Sequence, residues 1–203
     1  MTDTIYLKEE EVLRLYRCDV SYNKNLENVR DAFVIACYTG LRFGDFSTLK
    51  SEHLQEIDGE IFIKKVTQKT GEEVIIPINR IIIEILAKYK STKTGIPKVP
   101  CNPVFNKQIK AICKKAELNE KGRLAAEPEK ELSDCISSHC ARRTFATNAY
   151  LVGVPTLDIM RLTSHRTEAS FLRYVRLGRL HAAQRFSKHI QMTQSKSALR
   201  VAN

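Results

Sequence analysis

Six side chains spread along the chain have the types needed to act on a phosphodiester. They are Arg42 in TGLRFGDF, Lys69 in TQKTGE, His139 and Arg142 in HCAR, and His165 and Tyr174 at the two ends of HRTEASFLRY. Two arginines, a lysine and two histidines complement the charge of a phosphate, and a phenol can act as a nucleophile. Residues three apart on a helix share a face, so His139 and Arg142 can reach one ligand.

Other common chemistries lack their residues in this sequence. The eight glycines never cluster as a phosphate-cradling loop requires, which argues against a P-loop or a dinucleotide fingerprint. Cys135, His139 and Cys140 lie close together in sequence, but no second pair with ligand spacing follows, so we expect no metal site. The six cysteines contain no CxxC pair, and we expect free thiols.

The positive charge of the chain is concentrated in its last third. The formal net charge is +10, and residues 139–203 hold 11 Lys and Arg against 2 Asp and Glu. Nine of these cations are arginines, which bind phosphate oxygens in bidentate fashion. This distribution favours a nucleic acid partner, although a solvated basic face is the alternative on charge alone.

The elements that must position these residues are mainly helical. Apolar spacing predicts helices in LKEEEVLRLYRC, LENVRDAFVIACYTG, IIIEILAKYK, Asn106–Ala116, HCARRTFATNAYLV, PTLDIMRLT, Glu168–Val175 and Leu180–Gln191. Short Ile- and Val-rich segments predict strands at Leu54–Ile57, Glu60–Thr67 and Glu73–Ile78, with turns between them. A charged surface loop is expected at Glu117–Lys130. The predicted fold is mainly α with a small three-stranded antiparallel β-sheet.

Three segments together resemble the boxes of the tyrosine recombinase, or phage integrase, family. These are TGLRFGDFSTL, HCARRTFAT and the stretch from His165 to Tyr174, and the likeness extends from about Tyr6 to Gln191. The first and last also resemble integrases of Bacteroidetes mobile elements. The resemblance implies the α+β fold of that family's catalytic domain and a site-specific DNA recombinase that needs neither a cofactor nor a metal.

The resemblance assigns a role to each reactive residue. Arg42 and Arg142 would clamp the scissile phosphate, and Tyr174 would attack it to give a covalent 3′-phosphotyrosine. Lys69 would protonate the departing 5′ oxygen.

Further roles fall to residues around these four. His139 would help Tyr174 to lose its proton, His165 would hydrogen-bond the phosphate, and Asp45 would orient the cations from behind. Arginines next to the boxes are candidates for DNA contacts: Arg143, Arg166 and Arg173.

Each residue taken alone also has an ordinary explanation. Tyr174 and His165 could be core side chains, and Lys69 could be a plain turn residue with Lys64 and Lys65 as rivals on the same hairpin. Their joint occurrence in the family's order favours catalysis. Two departures stand out, because Ser164 and Ala141 occupy positions where glycine and leucine are usual, and the serine could alter how His165 is presented.

The resemblance also implies the extent of the domain and its partners. We expect one catalytic domain over residues 1–203, with a core at about 6–191 and a flexible tail at 192–203, lacking the family's N-terminal DNA-binding domain. The expected partners are double-stranded DNA and, during synapsis, a homo-tetramer. No signal peptide is evident, so a bacterial cytoplasmic location is expected.

Two other functions remain open beside a site-specific recombinase. They are a type IB topoisomerase-like enzyme and a catalytically silent DNA-binding domain.

Overall fold

The computed structural model of the protein describes residues 5–175 together with 186 and 187. Its helices are α1 (Glu9–Arg17), α2 (Lys24–Thr39), α3 (Phe43–Phe46), α4 (Arg80–Ala87), α5 (Asn102–Lys115), α6 (Leu132–Cys135), α7 (Ser138–Leu151), α8 (Thr156–Leu162) and α9 (Glu168–Leu172). Its strands are β1 (Leu54–Ile57), β2 (Glu60–Val66) and β3 (Glu73–Pro77). The predicted fold class is confirmed. Within the described part, no helix has both the length and the apolar character to cross a membrane.

Helix α2 is the scaffold of the domain. It begins at Lys24 because the Asn23 side chain accepts hydrogen bonds from the backbone N–H groups of Asn25 and Leu26. It ends at Gly40, whose φ of +67° is the left-handed conformation that glycine adopts without strain. Helices α1, α4, α5 and α7 all pack against α2. The chain that leaves its C-terminal end therefore starts from a firmly held point.

The sheet is antiparallel in the order β1–β2–β3 and carries a turn at its end. Side chains alternate along β2 and β3, so that Ile63 and Ile76 pair with each other on the buried face. The predicted strands are one residue longer at the ends of β2 and β3. At Thr67 the pairing gives way to the turn, because its N–H closes the turn by donating to the carbonyl of Glu72 at 2.9 Å.

The observed helices differ from the predicted ones in a few places. Helix α5 begins at Asn102, earlier than predicted, because Pro103 occupies the first turn, where a missing N–H costs nothing. The short helix α6 was not predicted, whereas the loop at Glu117–Lys130 was. The helical spacing at Leu180–Gln191 falls outside the described residues, apart from 186 and 187.

The buried apolar side chains form two clusters. The larger lies around α1, α2, α4, α5 and the sheet. The smaller is built from α7, α8 and the segment of α9, and its buried members are Ala146, Ile159, Phe171 and Val175. Tyr174 packs against this second cluster. The predicted nucleophile, Tyr174, therefore packs against an apolar cluster that is distinct from the larger one.

The close approach at Gly40 yields a stability prediction. A Cβ atom at this residue would lie 2.5 Å from Phe145 Cδ1 and 2.9 Å from Thr163 Cγ2. We expect Gly40→Ala to lower the free energy of unfolding in urea by more than the roughly 1–2 kcal/mol that left-handed backbone alone costs. Gly59→Ala is the matched control, since Gly59 has φ +81° but no atom within 4 Å. Equal losses in the two variants would contradict the packing explanation.

Candidate active site

The site forms where the C-terminal ends of α2 and α8 meet the first turns of α7. Arg142, on α7, is only 2% exposed and joins these ends. Its Nη1 donates to the carbonyl of Gly40 at 2.8 Å, and its Nη2 donates to the carbonyl of Thr163. Both carbonyls lie at helix C-termini, where oxygens lack helical partners and carry partial negative charge. The guanidinium therefore fixes the relative position of three helices.

The direct partners of the Arg142 guanidinium include two neutral carbonyls, and the charge of Asp45 acts on it without an ion-pair contact. Among the described residues Arg142 forms no ion pair, and its buried Nε has no hydrogen-bond partner. Burial, followed by repulsion from Arg42, lowers its pKa. An arginine remains charged after such a shift. The site consequently holds a buried positive charge with an unused donor.

Arg42 reaches the same place from the chain that follows α2. It is the extended residue before α3, and its Nη1 donates to Ser164 Oγ at 2.9 Å. Ser164 is buried and has φ +47°, a conformation disfavoured for residues with a Cβ. The conformation is thus the one that glycine would accept at this position. The serine adds a hydroxyl that glycine lacks, and this hydroxyl bonds Arg42.

His165 is held in one tautomer by the residue two positions before it. Its Nδ1 lies 2.7 Å from Thr163 Oγ1, which lies 2.5 Å from the carbonyl of Ile159. A carbonyl only accepts, so the threonine hydroxyl donates to it and accepts from Nδ1–H. The neutral ring then has its lone pair on Nε2. Arg142 Nη2 lies against the ring, 3.3 Å from Nε2 and 3.4 Å from Nδ1.

Both histidines are neutral at pH 7 in the free protein. Burial, then Arg142 and Arg42, lower the pKa of His165 to about 3. Partial loss of solvent, then Arg143, Arg142, Arg42 and Lys69, lower the pKa of His139 to about 4. The His139 ring keeps much of its surface exposed, yet all four cations act on it in the same direction. The arrangement disfavours any further positive charge.

Tyr174 lies among these groups. It is half-buried just after α9, with its ring centroid 5.2 Å from that of His139 and 4.8 Å from that of His165. The guanidinium carbons of Arg142 and Arg143 lie 5.7 Å and 5.9 Å from the centroid of the phenol ring. Cations near an aromatic face are attracted by its quadrupole. The ring is thus surrounded by the groups that would handle a phosphate.

Lys69 approaches from the turn formed by residues 67–72, here called the lysine turn. Its side chain is exposed and forms no ion pair among the described residues, and its charge contributes to lowering the His139 pKa. The two rival lysines are engaged elsewhere. Lys64 pairs with Glu73 at 3.2 Å, and Lys65 lies 3.2 Å from His53 Nε2. Lys69 is the lysine of this hairpin that faces the site.

Asp45 connects the two sides of the site. It is 1% exposed, and its Oδ1 accepts a hydrogen bond from the backbone N–H of Gln68 at 2.8 Å. Its charge also raises the pKa of Arg142, against the larger effect of burial. The carboxylate acts on the backbone beside Lys69 as well as on the cations.

The three arginines expected to contact DNA occupy different environments. Arg143 is half-buried, with an Nε that has no partner, and Arg173 is exposed after α9. Arg166 bonds the lysine turn, through Nη2 to the carbonyl of Thr70 at 2.9 Å and through Nε to Glu72 Oε1 at 3.3 Å. Sequence reasoning missed the contacts of Arg166 and the role of Thr163. Backbone carbonyls leave no trace in residue types, and the side chains of Glu72 and Thr163 acquire these partners only through the fold.

The arrangement is suited to binding an anion. Arg42, Lys69, Arg142 and Arg143 all act on His139, and none of them forms an ion pair among the described residues. Two of them, Arg142 and Arg143, also lie near the Tyr174 ring. Unpaired charge near a protein interior is costly, and an incoming phosphate would relieve that cost. Within residues 5–175 no group of three or more His, Cys, Asp or Glu side chains is placed to hold a metal ion.

The depressed pKa of His165 predicts how stability depends on pH. The folded ring binds a proton only near pH 3, whereas the unfolded ring does so near pH 6.5. Stability is therefore lost as pH falls below about 6.5, by up to about 1.4 kcal/mol per pH unit. In urea denaturation between pH 6 and pH 4, we expect His165→Gln to show a shallower loss than wild type. An equal slope would contradict a neutral buried His165.

Comparisons with known proteins support the family resemblance of the sequence and the fold. A family model described as the phage integrase family matches residues 6–181. The fold is similar to that of the XerA recombinase, with a TM-score of 0.68 and 19% identity over 93% of this chain. It is also similar to the XerH site-specific recombinase bound to its difH substrate in a pre-cleavage complex (TM-score 0.64, 15% identity, 92% of this chain). A lambda integrase tetramer bound to a Holliday junction gives a TM-score of 0.61 at 20% identity over 86% of this chain.

This chain spans only part of those proteins. It covers 66% of the XerA chain, 55% of the XerH chain and 49% of the lambda integrase chain. No curated protein sequence matches it. The structural likenesses confirm the fold expected of a tyrosine recombinase catalytic domain, and the family model extends over most of the sequence. The chain belongs to the phage integrase family.

Proposed function

We propose that the protein is a site-specific DNA recombinase that cleaves and rejoins strands through a phosphotyrosine. The observation that carries the proposal is the position of Tyr174, packed against His139 and His165 and beneath two guanidinium groups. A phenol surrounded by cations without carboxylate partners is arranged to meet a phosphodiester. Membership of the family supports the same conclusion.

The arginines would bind the scissile phosphate and its transition state. Attack on phosphorus places additional negative charge on the non-bridging oxygens, where preorganised donors have their largest effect. Arg142 is preorganised by its bonds to Gly40 and Thr163, and it retains an unpaired Nε. Arg42 would complete the clamp, and His165 would contact the same phosphate.

The strand is broken and rejoined without an external energy source. A bond forms between Tyr174 Oη and phosphorus as the bond from phosphorus to the 5′ oxygen breaks. The phenol proton leaves with the help of His139, and the 5′ oxygen takes a proton from Lys69. A 5′-hydroxyl from another strand can reverse the step, because the phosphotyrosine keeps the energy of the original diester. No cofactor enters this sequence.

The partner would be double-stranded DNA, bound by several protomers during strand exchange. The cationic excess of residues 139–203 suits a polyanion, and Arg143 and Arg173 are proposed as DNA contacts. Complexes of XerH with its substrate and of a lambda integrase tetramer with a Holliday junction support an assembly on DNA. We also propose that the protein acts in the bacterial cytoplasm, in association with DNA.

The proposal is tested with nicked duplexes whose core sequence is randomised. Loss of the small fragment beyond the nick makes cleavage irreversible, so any cleaved site remains attached to the protein. We expect wild type to form adducts that resist denaturation with detergent, mass spectrometry to map them to Tyr174, and Tyr174→Phe to form none. Sequencing the attached DNA identifies the preferred site.

Three outcomes separate this function from its rivals. Absence of adducts under conditions where wild type still retards DNA would favour a silent DNA-binding domain. Relaxation of supercoiled plasmid without exchange between two sites would favour a type IB topoisomerase-like enzyme. Adducts on Tyr174 followed by exchange of strands between two duplexes would support a recombinase.

A further inference from the structure

The lysine turn is held to the rest of the protein on both sides of Lys69. On one side, Asp45 Oδ1 accepts the N–H of Gln68 at 2.8 Å. On the other side, Arg166 Nη2 donates to the carbonyl of Thr70 at 2.9 Å. These contacts involve the residues immediately before and after Lys69 in the chain. They constrain the backbone from which the lysine projects.

Arg166 also connects this turn to a second part of the site. It directly follows His165, and its Nε makes an additional contact of 3.3 Å with Glu72 Oε1. Its guanidinium therefore spans the gap between the His165 segment and the hairpin. We call the contacts of Arg166 with Thr70 and Glu72 the Arg166 bridge.

Proton transfer to a leaving oxygen makes position important. The donor must come within hydrogen-bond distance of that oxygen, and small displacements of catalytic groups cost large factors in rate. A lysine side chain is long and flexible, so the described contacts can restrict only its backbone. The bridge ties this backbone to the segment carrying His165.

We propose that Arg166 is a positioning residue for Lys69, acting in the departure of the 5′ oxygen through the Arg166 bridge. The inference rests on the recombinase function proposed above and extends it to a residue outside the reactive set. It differs from the expectation that Arg166 contacts DNA, because two of its donor groups are already used within the protein.

The expected effect is moderate. The side chains of Arg166 and Glu72 are 65% and 48% exposed, and exposed ion pairs contribute little. The hydrogen bond to the Thr70 carbonyl adds to the pair. We therefore expect loss of the bridge to slow cleavage by about tenfold, well short of abolishing it.

The test uses the DNA site recovered with the Tyr174 adducts, prepared with either oxygen or sulfur at the bridging 5′ position of the scissile phosphate. A thiol has a pKa near 8.5, so a sulfur leaving group departs without a proton donor. At saturating DNA, we expect Arg166→Ala to cleave the oxygen substrate about tenfold more slowly than wild type. With the sulfur substrate its rate should match that of wild type. Lys69→Ala should show the same rescue with a larger loss on oxygen.

Glu72→Gln and Arg173→Ala separate positioning from DNA binding. Glu72→Gln keeps the charge of Arg166 while weakening its bridge, so the proposal predicts a smaller loss that sulfur again rescues. Arg173→Ala removes an exposed arginine that forms no hydrogen bond or ion pair with the lysine turn among the described residues. We expect it to weaken DNA affinity and to show no dependence on the leaving atom.

Other results would overturn the inference. If Arg166→Ala slows both substrates equally and weakens DNA affinity, Arg166 is a DNA contact. If Lys69→Ala is not rescued by sulfur, Lys69 does not protonate the leaving oxygen and the bridge positions nothing. Failure of wild type to form any adduct counts against the proposed function itself, which distinguishes the two failures.

Discussion

A buried guanidinium without a carboxylate partner is the constraint on which this site depends. Arg142 is held by carbonyls at the ends of α2 and α8, and these neutral acceptors orient the group without cancelling its charge. A carboxylate in their place would form a closed pair with less affinity for an incoming anion. The helix packing therefore supplies both the position and the unmet charge. Both properties suit the phosphate-binding role proposed for Arg142.

The same excess of charge acts on the two histidines. Burial is the largest cause that lowers the pKa of His165 and of His139; Arg142 and Arg42 add to it at both rings, and Arg143 adds to it at His139, so both rings remain neutral in the free protein. Thr163 then selects which nitrogen of His165 bears the hydrogen. An arriving phosphate would offset the cations and make a proton on either ring less costly. Under the proposed function, the acid–base state of the site would thus depend on whether DNA is bound.

Sequence reasoning predicted the parts of the site that depend on residue type and order. Arg42, His139, Arg142 and Tyr174 were recognisable because a charged or nucleophilic group is visible in the sequence. The acceptors of Arg142 were not, since they are main-chain carbonyls whose exposure depends on where helices end.

Ser164 shows which features the sequence reveals and which depend on the fold. Its departure from glycine was evident, but its left-handed backbone and its bond to Arg42 emerge only from the meeting of α8 with the chain after α2. The helix boundaries show the same division. Periodicity located α5, whereas its earlier start depends on how Pro103 fits the first turn.

The two apolar clusters differ in size, and we expect the parts of the molecule around them to differ in their resistance to local unfolding. Tyr174 rests on the smaller cluster, while Arg42 extends from α2, which belongs to the larger one. Because opening free energies scale with the apolar area buried, the small cluster can open while the large one stays folded. Local unfolding would then withdraw the nucleophile and leave half of the phosphate clamp in place. Under the proposed function, this locally unfolded form would hold DNA without cutting it.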